Sequence, residues 1–186
     1  MIVALGAPAP AAGLRASSAA ITDFKFGLNA VSVLSSSDAW AVGESPTVLH
    51  WNGTSWAKIT IPGLSAGVSV SAVDALSPSD VWAAGLAPEK VFAVENTLIV
   101  HWNGTAWKRV PSPGSFDTNN VIPSLSSVSM DSATDGWAVG GVFAKRSNAV
   151  TDLALHWDGI RWQRVTTSPA FVFSGVTSFP PPMPRR

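Results

Sequence analysis

Val73-Asp74-Ala-Leu-Ser77-Pro-Ser-Asp80-Val-Trp82-Ala-Ala-Gly85, followed after a gap by Val100-His101-Trp102-Asn103-Gly104-Thr105-Ala106-Trp107, decides how this chain folds, because the pattern occurs three times. Upstream it reads Val31-Ser-Val-Leu-Ser35-Ser-Ser-Asp38-Ala-Trp40-Ala-Val-Gly43 and then Leu49-His50-Trp51-Asn52-Gly53-Thr54-Ser55-Trp56. Downstream it reads Val128-Ser-Met-Asp-Ser132-Ala-Thr-Asp135-Gly-Trp137-Ala-Val-Gly140 and then Leu155-His156-Trp157-Asp158-Gly159-Ile160-Arg161-Trp162. Every one of the 9 tryptophans and 3 histidines falls at an equivalent place in these units. A residue type repeated in register is first a structural device, so Asp38, Asp80, Asp135 and the tryptophans are expected to build the frame.

Each half of a unit predicts two strands. In the first half an alternating Val-x-Val stretch runs into a Ser/Asp-rich turn, and a short apolar strand follows until Gly43, Gly85 or Gly140 stops it. In the second half, Asn-Gly or Asp-Gly between β-prone runs predicts a two-residue type I′ hairpin, in which both central residues take positive φ. With Asn52 and Gly53 as the loop, Trp51 faces Thr54, His50 faces Ser55 and Leu49 faces Trp56. The period of two then puts Leu49, Trp51 and Trp56 on one face and His50 on the other, and likewise pairs Trp102 with Trp107 and Trp157 with Trp162.

Four-stranded antiparallel units repeating at about 40 to 55 residues, each needing a neighbour to cover its face, are the pattern of β-propeller blades. The predicted fold is all-β, with three four-stranded blades (strands A to D) in a partial or open propeller. Residues 28–63, 64–114 and 115–169 read as the blades, 21–27 as a strand from a preceding blade, and 170–179 as the start of a fourth. Residues 1–20, rich in Ala and Pro, read as a disordered leader or the remnant of a signal peptide, and 180–186 as a disordered Pro-rich tail. Propellers use about four to eight blades, and a blade buries its faces only against neighbours. Three blades therefore predict a piece of a larger propeller, ahead of self-association into a ring or an open arc.

Composition narrows the partners. With 12 basic and 12 acidic side chains the formal charge is zero, which gives nucleic acid nothing to steer on. No apolar run approaches the length of about 20 residues that spans a bilayer as a helix. Cysteine is absent, so disulfides, thiolate nucleophiles and Cys-ligated zinc are excluded, and either an exported or a cytoplasmic setting is compatible.

The Asp-x-Trp-Ala-x-Gly strand followed by His-Trp-[Asn/Asp]-Gly-x-x-Trp resembles the repeats of bacterial Trp-rich β-propellers. It is similar to the Asp-box (BNR) type and to the propellers of photosystem II stability/assembly factors. Those carry Gly-Trp-x-x-Gly before an Asp-Gly-Gly-x-x-Trp turn; Asp135-Gly136-Trp137-Ala138-Val139-Gly140 comes nearest, and the turns here lack the second Gly. The resemblance covers residues 28 to 167 and implies a propeller with a binding or assembly role in an extracytoplasmic or secreted protein. It carries over no active site. Sialidases on such folds use a Tyr nucleophile and galactose-oxidase-type propellers a Tyr–Cys cofactor, and this chain has 0 Tyr and 0 Cys.

Chemistry-bearing groups outside the repeat lie between strands B and C. Trp40 to Trp51 is 11 positions, whereas Trp82 to Trp102 and Trp137 to Trp157 are 20 each, so insertions fall at Leu86 to Asn96 and Gly141 to Thr151. Such loops share one end of a propeller with the blade-to-blade connections, where ligands are met. Their polar groups Glu89, Lys90, Glu95, Lys145, Arg146 and Asn148 are the candidates for contacting a protein or a glycan. Glu89, Glu95 and Asp152 allow a paired-carboxylate hydrolase arithmetically, but nothing in the sequence sets their separation.

The repeated polar residues point to structure. Asp38, Asp80 and Asp135 sit where a turn carboxylate accepts backbone N–H groups. The three histidines are on different blades and face Ser55, Ala106 or Arg161; sheets about 10 Å apart are too distant to share a metal. Asn52-Gly-Thr54 and Asn103-Gly-Thr105 match the glycosylation acceptor pattern, yet Asp158-Gly159 at the third site favours turn chemistry. Lys58, Arg109 and Arg164 lie on the outer strand, where a cation discourages edge pairing. The expected function is a non-catalytic binding or assembly scaffold without cofactor or metal. A glycan-binding module with exposed indoles and a fragment of a propeller-containing glycoside hydrolase are the alternatives.

Overall fold

The computed structural model of the chain describes residues 27–64, 66–87, 97–113, 116, 120–167 and 175–177. Among these residues every element is a strand, in the order β1 (Leu28–Ser35), β2 (Asp38–Gly43), β3 (Thr47–Trp51), β4 (Trp56–Lys58), β5 (Ser69–Ser77), β6 (Asp80–Leu86), β7 (Thr97–Trp102), β8 (Trp107–Arg109), β9 (Val121–Ser132), β10 (Asp135–Ala144), β11 (Val150–Trp157) and β12 (Trp162–Val165). They form three four-stranded antiparallel sheets, β1-β2-β3-β4, β5-β6-β7-β8 and β9-β10-β11-β12. Each sheet is one blade. The first strands lie side by side, β1 against β5 and β5 against β9, as the inner strands of a propeller do. The leader, residues 21–26, Glu89, Lys90, Glu95 and the Pro-rich tail lie outside the described residues.

Pleating explains how the blades stack. Trp40, Val42 and Val48 leave one face of the first sheet and meet Val73, Val81, Val100 and Trp107 from the opposite face of the second, forming one core. Trp82, Ala84 and Ile99 leave the second sheet and meet Val128, Met130, Leu155, Trp157 and Trp162 of the third, forming another. Hydrophobic packing thus lies between sheets, and each inner-face strand carries apolar residues at every second position.

The hairpin register differs from expectation. Trp51 pairs directly with Trp56, His50 with Ala57 and Leu49 with Lys58, so the loop is Asn52–Ser55, four residues long. Trp102 pairs with Trp107 and Trp157 with Trp162 in the same way. Only the Gly of each loop has positive φ, at 90°, 88° and 88° for Gly53, Gly104 and Gly159, which excludes a type I′ turn. The residue before it governs the loop instead: Asn52 Oδ1 accepts from Thr54 N at 3.0 Å and Ser55 N at 2.9 Å, closing the chain over two extra positions. Leu49, Trp51 and Trp56 share a face under either register.

Gly85 does not stop its strand. Its sheet partner β5 carries a bulge between Val70 and Ala72, and a Cβ on Gly85 would meet Ser69 O at 2.0 Å. Gly43 and Gly140 face the same bulge from Gly27 O and Ser124 O, at 2.2 and 2.1 Å. The glycine in Trp-Ala-x-Gly therefore makes room for a bulged backbone. The third insertion is not a loop either: Gly141–Ala144 continue β10 and Val150 and Thr151 begin β11, so the extra residues lengthen a hairpin.

Candidate functional site

Antiparallel order sends the β1–β2 and β3–β4 type turns to one end of every blade and the β2–β3 type turns, with the blade-to-blade connections, to the other. The first end is closed by a bond set repeated in each blade. Ser37 N, Ser79 N and Thr134 N donate to Ser35, Ser77 and Ser132 Oγ at 3.1, 3.3 and 3.2 Å. Trp51, Trp102 and Trp157 donate their indole N–H to Ser36, Pro78 and Ala133 carbonyls at 3.0, 3.2 and 3.0 Å. Each indole thereby ties a C strand to the A–B turn beside it.

The aspartates take the histidines as partners. His50, His101 and His156 Nε2 lie 3.0, 2.8 and 2.7 Å from Asp38, Asp80 and Asp135 Oδ1. The serines, not the aspartates, accept the turn N–H groups. His50 stacks on Trp40 and His101 on Trp82, each with centroids 4.4 Å apart, while His156 tilts over Trp137 at 4.6 Å. Trp82 Nε1 also donates to Asp80 Oδ1 at 2.9 Å. Asp–His–Trp is thus one structural module per blade. The register explains it: Trp40 pairs with His50, so Asp38, two residues before Trp40, projects on the same face. The signal in the sequence is that Asp and His recur together in all three units.

Asp158 fills the Asn52 role in the third blade, accepting from Ile160 N at 2.9 Å and Arg161 N at 2.8 Å. The N–H of Arg161, then that of Ile160, and a bond from Gln163 hold its carboxyl below the usual carboxylate range. Blades are further pinned along their inner strands. Ala75 N donates to Ser32 Oγ at 3.1 Å and Met130 N to Asp74 Oδ2 at 2.7 Å, at equivalent positions of successive blades. Burial pushes the Asp74 carboxyl up, against the lowering effect of the Met130 N–H.

The second end carries the side chains outside the repeat. Lys145, Arg146 and Asn148 sit together, exposed, on the turn joining β10 to β11. Asn148 N donates to Ala144 O at 2.9 Å with Asn148 at φ 55°, and Lys145 N donates to Asn120 O at 2.8 Å. The turn is therefore anchored on the connection that enters the third blade. Asp152 lies beneath it, with Oδ2 buried and no hydrogen-bond partner among the described residues. In the first blade the equivalent turn is short, and Ser45 N donates to Val68 O at 2.9 Å, binding it to the second blade. Of the outer-strand cations, Lys58 and Arg109 end the short strands β4 and β8, and the Arg164 guanidinium lies 5.5 Å over the Phe116 ring.

Four-stranded sheets stacked face to face with their first strands innermost define β-propeller blades. No family model matches the sequence, and no curated protein does either. Among solved structures, one described as YCF48 bound to D1 peptide superposes with a TM-score of 0.55 at 14% identity, over 79% of this chain and 42% of that one. At this identity the likeness shows the propeller fold, and the chain spans less than half the length of that protein.

Proposed function

We propose that the chain acts as a non-catalytic propeller scaffold that binds a protein segment at the blade end carrying the β10–β11 turn. One observation supports this reading above others: the repeated tryptophans, histidines and aspartates bond and stack within blades or pack between them, as the parts of a frame do. Side chains that differ between blades are left at the second end, where Lys145, Arg146 and Asn148 cluster. A turn anchored at both ends pays little ordering entropy on binding. YCF48 is described as bound to a peptide, and a peptide ligand for this chain follows by analogy of fold. The setting proposed is an exported bacterial protein of the Trp-rich, Asp-box-like kind.

The glycan reading needs indoles presented to solvent, and all nine tryptophans are buried or half-buried. A hydrolase needs two carboxylates at a fixed separation, and the described part of the second end carries Glu44 on the first blade and Asp152 on the third, on separate blades. Panning the full chain against a peptide-display library and a glycan array tests the assignment. The expected result is enrichment of peptides whose binding falls about tenfold or more in Lys145→Glu/Arg146→Glu, as for loss of a charge-assisted contact. Glycan capture without peptide enrichment, or turnover of chromogenic glycosides, overturns it.

A further inference from the structure

The two outer faces of the three described blades carry the same residue positions as the two kinds of face that meet between blades. Inside the chain that interface is built twice. Trp40, on one face of the first blade, meets Trp102 and Trp107 of the second, with ring centroids at 5.3 and 5.5 Å. Trp82 of the second blade meets Trp157 and Trp162 of the third at 5.0 and 5.8 Å. Beside each indole pair an apolar β-strand residue is covered too: Val73 is 8% and Val128 6% exposed.

The first blade carries the same receiving surface, and among the described residues no other blade packs on it. Val31, register-equivalent to Val73 and Val128, is 61% exposed, and Val33 is 66% exposed. Trp51 and Trp56 lie 5.7 Å apart on that face and are only half-buried, where Trp107 and Trp162 are buried. The third blade carries the inserting surface at the opposite end of the stack. Trp137 over His156 is half-buried where Trp40 and Trp82 are buried, and the Asp135 side chain is 52% exposed against 15% and 21% for Asp38 and Asp80.

We propose that a second copy of this chain docks head to tail, its Val31–Val33–Trp51–Trp56 face seating on the Trp137–His156 face of the first. The contact is heterologous, and it closes when the rotation between copies permits. Two copies of the three described blades make six, inside the range of about four to eight that propellers use. Seating β1 of the second copy competes with Val176, whose N donates to Ser127 Oγ at 3.1 Å and whose O accepts from it at 3.4 Å, over the inner edge of this face. Two hydrogen bonds are weak against burial of two valines and two indoles.

Sedimentation velocity on the full chain and on Val31→Glu/Val33→Glu tests the docking. The full chain should run as a dimer. The variant, substituted at residues exposed in the single copy, should run as a monomer with an unchanged far-UV circular dichroism spectrum. If the glutamates disturb folding, Val31→Thr/Val33→Thr keeps the β-branching and should weaken assembly about tenfold or more. Because docking is head to tail, tagged Val31→Glu/Val33→Glu should still capture untagged wild-type chain through its intact Trp137 face. A monomeric full chain, a variant that assembles like the wild type, or failure of that capture overturns the proposal.

Discussion

Truncating Trp82 and Trp137 to alanine in parallel measures what blade stacking contributes. Both follow the same Asp by two positions and both lie against the His of the neighbouring strand. They differ in what covers them: Trp82 is 3% exposed and meets Trp157 and Trp162, whereas Trp137 is half-buried. Trp82→Ala removes a buried indole, for which about 3–5 kcal/mol is usual, and takes one of two partners from Asp80 Oδ1, which keeps His101. Trp137→Ala loses the His156 contact and part of the burial, about 1–2 kcal/mol. Two aromatic pairs at about 0.5–1.5 kcal/mol each, with the added burial, make up the difference. Urea unfolding followed by circular dichroism, at protein concentrations low enough to keep copies apart, reads both. Since a domain holds only about 5–15 kcal/mol, Trp82→Phe serves if the alanine variant does not fold. Equal losses at the two sites would refute the claim that the tryptophans act between blades.

Gly85→Ala forces a Cβ to within 2.0 Å of Ser69 O, so the bulge must shift; a loss of about 1–3 kcal/mol is expected in thermal unfolding, and a neutral result would contradict the bulge argument. Asp74→Asn keeps an acceptor for Met130 N while removing a charge that burial disfavours. Because the folded carboxyl is raised, its stability contribution is present below the unfolded value of about 3.9 and lost as pH rises through the folded one. The variant should therefore be more stable than wild type at pH 7 and lose that advantage in acid, read from unfolding midpoints across pH. Asn103→Asp should leave stability unchanged, since Asp158 makes the same two turn bonds, while Asn103→Ala should lose about 1 kcal/mol in the same assay.

The blade pattern was legible because it rests on spacing, which repeats three times and averages out local ambiguity. The face shared by Leu49, Trp51 and Trp56 is the same under both turns because the loop gains two residues, Thr54 and Ser55, both from the fourth strand, and a shift of two leaves a period-two pattern unchanged. Turn type was not legible: Asn-Gly fits a two-residue loop, and only the side-chain bonds from Asn52 Oδ1 to Thr54 and Ser55 extend it. The Asp–His pairing depended on placing Trp40 opposite His50, a cross-strand fact with no trace in local sequence beyond the co-recurrence. Gly85 looked like a stop because the bulge it accommodates lies on the partner strand. The third insertion shows in the sequence by its length, but its strand character follows from the pairing of residues 141–143 with 150–152. Of the candidate binding residues, the structure gathers Lys145, Arg146 and Asn148 on one turn.

Iodide quenching of tryptophan fluorescence tests the central claim most directly, because it reads all nine indoles at once. If the indoles are packed between blades, quenching is weak in the folded chain and rises steeply only with urea unfolding. Strong quenching of most of the native emission would show the indoles facing solvent and would contradict the account.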